Sequence, residues 1–210
     1  MKFTKMHGAG NDYVYVDARS QEQDWPELAR RMSDRHFGVG SDGLILIKDS
    51  DVADLKMSMY NADGSEAEMC GNGIRCFVKY AVDRTIVSSF NGSVSVETLA
   101  GVRNITPISE YGTVTGARVS MGAPILTPDA VPVKLDAAGE YGSGPVLEYP
   151  FEMDGYDLPL SFVSMGNPHA VTFIDTPVAE FPLLTVGTKV ENHSICLLYT
   201  SDAADEGLGV

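Results

Sequence analysis

The chemistry that this sequence can perform is concentrated around one cysteine. Cys70 is followed by Gly71, Asn72 and Gly73, and an amphipathic helical pattern begins at that point. Backbone N–H groups in the first turn of a helix have no acceptor within the helix, so they favour a thiolate and can hold a carboxylate. The segment therefore predicts a reactive thiol beside a carboxylate-binding loop. The alternative is a buried cysteine acting as a small apolar side chain, which the two glycines disfavour because they weaken a helix start.

Three asparagines lie in glycine-rich loops beside predicted strands: Asn11, Asn61 and Asn167. Asparagine tolerates left-handed backbone and caps turns, so each one alone is explained as a turn residue. As a set around a reactive thiol, they are predicted to donate and accept hydrogen bonds to an amino-acid-like ligand.

The sequence lacks the signatures of other common reactive centres. The four histidines show no metal-ligand spacing, and no cluster of cysteine and histidine indicates zinc. The glycine-rich segment 38–43 precedes a predicted strand instead of opening a helix, so it does not fit a dinucleotide-binding loop. The sequence also contains no phosphate-binding P-loop, nucleophile elbow or pyridoxal-lysine context. None of these patterns therefore indicates a metal or organic-cofactor site.

Strands and helices must position these residues. The pattern from 72 to 82 puts Ile74, Phe77, Val78 and Ala81 on one helical face, which indicates a helix packed on a core. Cys76 lies about 240° around that helix from Cys70, which favours a structural role for it. Runs of β-forming residues predict strands at 13–16, 44–47 and 55–59. A segment with proline near its start predicts a helix at 25–32, and β-branched stretches that alternate with turns predict hairpins from 86 to 126.

A weak internal repeat relates two parts of the chain. Gly10-Asn11 and Gly166-Asn167 each open a β-rich run that ends in aspartate. Cys70 follows Asn11 by 59 residues, so an equivalent cysteine in the second copy is expected near position 226, which lies past Val210. The repeat thus predicts two similar domains, of which the second lacks its reactive loop.

Composition sets the broad class of the protein. The chain has 210 residues, 44% of them hydrophobic and 21% charged, which is typical of a globular protein with a substantial core. A net charge of −14 argues against a nucleic acid or an anionic membrane as partner. Three cysteines and the absence of a signal-like N-terminal segment favour the cytoplasm.

Three segments together resemble the diaminopimelate epimerase family. They are FTKMHGAGND at 3–12, the stretch from Asn61-Ala62-Asp63-Gly64-Ser65 to Cys70-Gly71-Asn72-Gly73, and Gly166-Asn167-Pro168-His169. The resemblance runs from Met1 to about His193. It implies an α+β fold of two similar domains, each a β-sheet or barrel wrapped around a central helix, with the second domain incomplete.

The resemblance also implies a reaction. Family members interconvert LL- and meso-diaminopimelate for lysine and peptidoglycan synthesis, as homodimers and without pyridoxal phosphate or metal. One cysteine thiolate removes the α-proton from one face while a second thiol delivers a proton to the other. By this resemblance Cys70 is one of the pair, and Asn11, Asn61, Gly71, Asn72 and Asn167 bind substrate. His169 lies near the site without an assigned role, and metal ligands are absent.

The C-terminal part departs from the family pattern. The second Cys-Gly-Thr-Gly-like loop and a preceding Glu-Arg pair are missing, and Cys196 is followed by Leu-Leu-Tyr instead of glycine. Residues 196–210 resemble one reading frame of a transposase-library sequencing adapter, so we expect a truncated gene with a translated artefact there. A genuine divergent terminus is the alternative. The predicted division is an N-terminal epimerase domain at 1–113, a partial C-terminal domain at 114–195 and this tail at 196–210.

We therefore expect a diaminopimelate epimerase chain that does not epimerise its substrate at a useful rate. Two alternatives remain open. The first is a related isomerase of the same fold that also works without pyridoxal phosphate, such as a proline racemase, although those carry histidine at the position of Asn72. The second is a non-catalytic amino-acid-binding fragment.

Overall fold

The β-forming runs of the first part of the chain assemble into one sheet. The computed structural model describes residues 1–88, 92–135, 144–165 and 168–195. The eight strands of this sheet are β1 (Thr4–Gly8), β2 (Asn11–Asp17), β3 (Gly43–Lys48), β4 (Leu55–Asn61), β5 (Glu66–Ala67), β6 (Val94–Thr98), β7 (Gly101–Glu110) and β8 (Thr113–Val119). Their order is β1-β2-β3-β4-β6-β7-β8, with β5 paired to β4. The pairs β2–β3 and β4–β6 are parallel and the others antiparallel.

Helix α1 (Trp25–Ser33) covers one face of the central strands. Asp24 caps its first turn by accepting a hydrogen bond from the Glu27 N–H at 3.1 Å. Its apolar face packs in a core cluster that includes Trp25, Ala29, Met32, Val14, Val16, Leu44 and Leu46. Because α1 covers one face of β2 and β3 and a second helix covers the other, both strands are continuous apolar runs.

Helix α2 (Gly71–Asp83) is the central helix of the first unit. Ile74, Phe77, Val78 and Ala81 are fully buried, as their spacing predicts. The helix contacts β1, β2 and β3 and also β7 and β8, which belong to opposite ends of the sheet. The sheet must therefore curl around α2. This confirms the predicted α+β fold in which a sheet wraps around a central helix.

The second unit has a separate core. Its short strands form two antiparallel pairs, β9 (Glu152–Met153) with β10 (Tyr156–Asp157) and β11 (Ser161–Ser164) with β12 (Pro168–Val171). The sequence then continues through a 3-10 helix at Val178–Glu180 to α3 (Leu183–Glu191). The core of this unit contains Val131, Val133, Val146, Phe151, Leu158, Leu160, Phe162, Val186 and Ile195.

The chain divides into two compact units, Met1–Met121 and Gly122–Val210. Strand β8 falls in the first unit because it pairs with β7 and packs against α2. The domain division between 113 and 114 that the sequence suggests stays a prediction. Asn167 and the predicted tail at 196–210 lie outside the described residues. No helix within the described ranges has both the length and the hydropathy to cross a membrane.

Candidate active site

The sheet register brings the two candidate asparagines of unit 1 to the same end of the sheet. Gly8 pairs with Asn11 across the β1–β2 hairpin. Gly43 pairs with Tyr13 on one side and with Asn61 on the other. Asn11 at the start of β2 and Asn61 at the end of β4 therefore lie at the same end of the sheet, on either side of β3. We call this end of the strands the sheet edge.

The first turn of α2 packs against this edge. A Cβ atom added at Gly8 would lie only 2.8 Å from the Asn72 carbonyl oxygen, so the two backbones are in close contact. Gly73 is also packed tightly, because a Cβ atom there would lie 2.7 Å from Cδ1 of Ile45. The absence of a side chain at Gly8 and Gly73 thus lets the helix start approach the sheet.

Cys70 is the N-cap residue of α2. Its backbone is extended (φ −124°, ψ 121°), and its carbonyl accepts the Ile74 N–H at 2.9 Å. Its thiol is partly exposed, and Sγ accepts hydrogen bonds from the Gly73 N–H at 3.4 Å and the Tyr13 hydroxyl at 3.5 Å. Within the described part of the chain, the N–H groups of Gly71 and Asn72 have no acceptor. The loop thus presents a sulfur atom and two unused backbone donors next to each other.

Asn72 links this loop to the sheet edge. Its Nδ2 donates to Oδ1 of Asn11 at 2.6 Å, and its Oδ1 accepts a hydrogen bond from the Arg75 guanidinium. Asn11 is 3% exposed, and its Nδ2 has no acceptor among the described residues. Asn11 can therefore offer an amide donor next to the helix start.

Asn61 is held by a short turn. Its Nδ2 donates to Oγ of Ser65 at 3.0 Å, and its backbone N–H donates to the Ser65 carbonyl at 2.8 Å. Asp63 accepts both the N–H and the hydroxyl of Ser65, and these hydrogen bonds lower the pKa of Asp63. The turn therefore fixes the orientation of the Asn61 side chain.

An ion cluster that no sequence pattern indicates lies beside Asn11. Asp12 is paired with Lys5 and with Arg35, each at 2.8 Å, and Arg35 also contacts Asp42 at 2.7 Å. Asp42 in turn accepts the Asp12 N–H at 2.9 Å. These contacts tie the start of β2 to the segment before β3, so they stabilise the backbone on which Asn11 lies. The charges are far apart in the sequence, and only the strand pairing brings them together.

Cys76 lies in the core and not at this site. It is 8% exposed and packs in the cluster around α2. Burial raises the pKa of the Cys76 thiol, although a hydrogen bond with Tyr15 acts in the opposite direction. Burial therefore disfavours the thiolate form of Cys76, and its structural role stays a prediction.

Two further candidate residues belong to unit 2. His169 lies in β12 opposite Val163 and is partly buried. Asn167 lies outside the described residues. Their roles stay predictions. Among the described residues, no group of three or more His, Cys, Asp or Glu side chains could hold a metal ion.

Comparison with solved structures defines the class of fold. The chain is similar to a hydroxyproline epimerase from Agrobacterium vitis (TM-score 0.54, 12% identity, covering 81% of this chain and 50% of that one). It is also similar to a Bacillus anthracis phenazine biosynthesis protein of the PhzF family (TM-score 0.54, 20% identity, covering 82% and 56%). At these identities the likeness shows the fold alone, and it confirms the predicted architecture.

Sequence comparison then defines the family. The family model described as diaminopimelate epimerase matches residues 3–127. Diaminopimelate epimerases from Methanococcus maripaludis strain C5 and Agathobacter rectalis are 49% and 50% identical, over 92% and 93% of this chain. The chain spans 67% and 68% of the length of these relatives. It belongs to the diaminopimelate epimerase family.

This membership confirms the family, the fold and the isomerase class expected from the sequence, and it indicates a small-molecule substrate. The segments on which the resemblance depends at 3–12 and 61–73 both fall within the matched residues. They also lie together in the structure, at the sheet edge and at the start of α2.

Proposed function

We propose that unit 1 carries one half of the active site of a diaminopimelate epimerase, with Cys70 as one of two acid–base groups. The observation that carries the proposal is the start of α2, where the Cys70 Sγ atom lies beside the unused N–H groups of Gly71 and Asn72. A substrate α-carboxylate bound to these two donors would bring its α-carbon next to the sulfur atom. Proximity of base, proton and charge-stabilising donors is what abstraction of a weakly acidic proton requires.

The substrate-binding residues proposed are Asn11, Asn61, Gly71, Asn72 and Asn167. The Nδ2 group of Asn11 supports this role because it points to no acceptor in the described structure, although its Oδ1 is occupied by Asn72. His169 is proposed as a neighbour of the site. The physiological reaction would interconvert LL- and meso-diaminopimelate in lysine and peptidoglycan synthesis, in a cytoplasmic homodimer. A reduced Cys70 is required, and the cytoplasm maintains it.

A polypeptide of these 210 residues is expected to exchange the α-proton without inverting the stereocentre. The only other cysteines in the sequence are Cys76, which is buried in the core, and Cys196, which no glycine loop follows. A single base on one face can remove a proton and return a deuteron only to that same face. The expected result is therefore exchange with retention, and no useful rate of epimerisation.

The test is incubation of the purified chain with each isomer of diaminopimelate in D2O, with deuterium at the α-carbon followed by NMR. Replacement Cys70→Ala should reduce exchange by a factor of about 10² or more, as expected for loss of a general base. Cys76→Ala is the matched control, and it should leave exchange unchanged. If Cys70→Ala exchanges as fast as the unaltered chain, the proposal is wrong. Binding without any exchange would favour the amino-acid-binding fragment, and exchange only with proline would favour the related racemase.

A further inference from the structure

Tyr13 has no part in the reaction proposed above, yet its hydroxyl contacts the reactive atom. The ring is 1% exposed in the core around α2, and its hydroxyl lies 3.5 Å from the Cys70 Sγ atom. We propose that Tyr13 is a positioning residue whose hydroxyl donates to the Cys70 thiolate, holding the sulfur in place and increasing the thiolate fraction at neutral pH. The inference rests on the proposed role of Cys70.

The geometry gives the sulfur two donors from different elements. The Gly73 N–H reaches it from α2 at 3.4 Å, and Tyr13 reaches it from β2. A neutral hydroxyl that donates to an anion stabilises the charged form, so it lowers the energy of the thiolate relative to the thiol. Because the Tyr13 ring is buried in the sheet, its hydroxyl is held in position before any substrate binds. The contact spans 57 residues of sequence and depends on the register of β2 under α2.

Tyr15 provides a matched control on the same strand. Its hydroxyl also reaches the first turn of α2, where it donates to the Gly73 carbonyl at 3.0 Å. The thiol with which it interacts by a hydrogen bond is that of Cys76 and not that of Cys70. Burial, reinforced by the neighbouring Cys76 and Cys70, raises the pKa of Tyr15, so this residue stays neutral throughout the range in which a thiol titrates. Two cations on α2, Arg75 and Lys79, act on Cys76, and Arg75 also donates to Asn72. Tyr13→Phe and Tyr15→Phe therefore each remove one buried hydroxyl, and only the first removes a donor to the Cys70 sulfur.

The experiment measures the pH dependence of iodoacetamide alkylation at Cys70 in the full chain, with the modified peptide quantified by mass spectrometry. The thiolate sulfur displaces iodide and forms a thioether, so the rate follows the thiolate fraction. Tyr13→Phe should raise the midpoint and reduce the alkylation rate at pH 7 by about three- to tenfold, as expected from loss of one charge-assisted hydrogen bond. Tyr15→Phe should leave the midpoint where it is. Tyr13→3-fluorotyrosine, which keeps the ring and strengthens the donor, should lower the midpoint.

Two results with the phenylalanine variants would overturn the inference: an unchanged midpoint in Tyr13→Phe, or an equal shift in both variants. The fluorotyrosine variant keeps the test decisive if Tyr13→Phe does not fold, because an unchanged midpoint there also counts against the inference. The readout does not depend on the proposed reaction. If Cys70→Ala retained full deuterium exchange, the proposed function would fail while the alkylation profile could still support the Tyr13 contact.

Discussion

Asp12, next to Asn11 at the candidate site, carries a strongly perturbed carboxyl group. Burial by itself would raise the pKa of Asp12, but hydrogen bonds and charges from Arg35 and Lys5 outweigh it and hold the pKa at about 2, below its ordinary value of 3.8. The Asp12 side chain is 18% exposed, whereas Arg35 is 56% exposed, so solvent weakens part of this interaction. The cluster should therefore stabilise the folded chain only while Asp12 is ionised.

Replacement Asp12→Asn should lower the free energy of unfolding by about 1–2 kcal/mol at pH 7, with screening taken into account. Because the pKa of Asp12 is lowered in the folded state, the stabilisation by ionised Asp12 is fully present above about pH 4 and disappears as the pH falls through about 2. Urea unfolding at pH 7, 4 and 2.5 measures it: the difference between the two proteins should shrink at the lowest pH. Asp51→Asn, at an exposed carboxylate without an ion pair in the described structure, is the control. A difference that is the same at every pH would count against the assignment.

Local patterns indicate Cys70 and Asn72 as candidate site residues, because the glycines and the helix start lie within a few positions of them. The contact between Tyr13 and Cys70 is not local. Strand β2 alternates Tyr13 and Tyr15 towards α2 with Val14 and Val16 towards α1, and both faces are buried. A strand that is apolar on both sides gives no sign of which face meets the helix. The ion pairs of Asp12 with Lys5 and Arg35 could not be predicted from the sequence either, because they depend on strand order.

At the scale of elements, the candidate site depends on how closely α2 approaches β1. Gly8 ends β1, and a Cβ atom there would meet the Asn72 carbonyl oxygen at 2.8 Å, a backbone atom that cannot move without the helix. Gly8→Ala should therefore destabilise the fold by about 1–3 kcal/mol, as overpacking does. It should also displace the Gly71 and Asn72 amides and weaken binding of diaminopimelate.

Gly116→Ala, in β8, is the matched control for this substitution. A Cβ atom at Gly116 meets Ile108 only at ordinary contact distances of 3.8 and 3.9 Å. Thermal unfolding should therefore separate the two alanine variants, with Gly116→Ala close to the unaltered chain. Calorimetric titration with diaminopimelate should show weaker binding for Gly8→Ala alone. Equal stability and equal affinity in both variants would show that the close approach has no energetic consequence.

The helices and most strands of unit 1 follow their sequence patterns, whereas the local pattern near Gly112 is compatible with either a hairpin or a domain boundary. The sequence predicts a boundary near Gly112, where the Tyr111-Gly112 pair adopts positive φ values of 50° and 80°. Those residues form the turn of the β7–β8 hairpin. A hairpin turn and a linker between domains have the same local composition, and only the pairing of the next strand distinguishes them.

At the scale of the whole molecule, each unit has its own core. The clusters around α1 and α2 belong to unit 1, and the cluster that includes Phe162 and Val186 belongs to unit 2. In unit 1, β8 closes the packing around α2: Lys79 donates to the Val114 carbonyl at 2.6 Å, and Asp83 accepts the Val114 N–H at 2.9 Å. The boundary after Met121 is therefore expected to mark a folding unit, and one after position 113 is not.

Two fragments test this directly. A chain of residues 1–121 should unfold in one cooperative transition and should alkylate Cys70 with the same pH midpoint as the 210-residue chain, because the groups that contact this thiol in unit 1 are all retained. A chain of residues 1–113 loses β8 and uncovers α2 and the edge of β7, so it should not unfold cooperatively. Circular dichroism during urea unfolding and the alkylation profile together decide between them. A folded 1–113 fragment would support the boundary predicted after position 113. A shifted midpoint in 1–121 would mean that unit 2 contributes to the surroundings of Cys70.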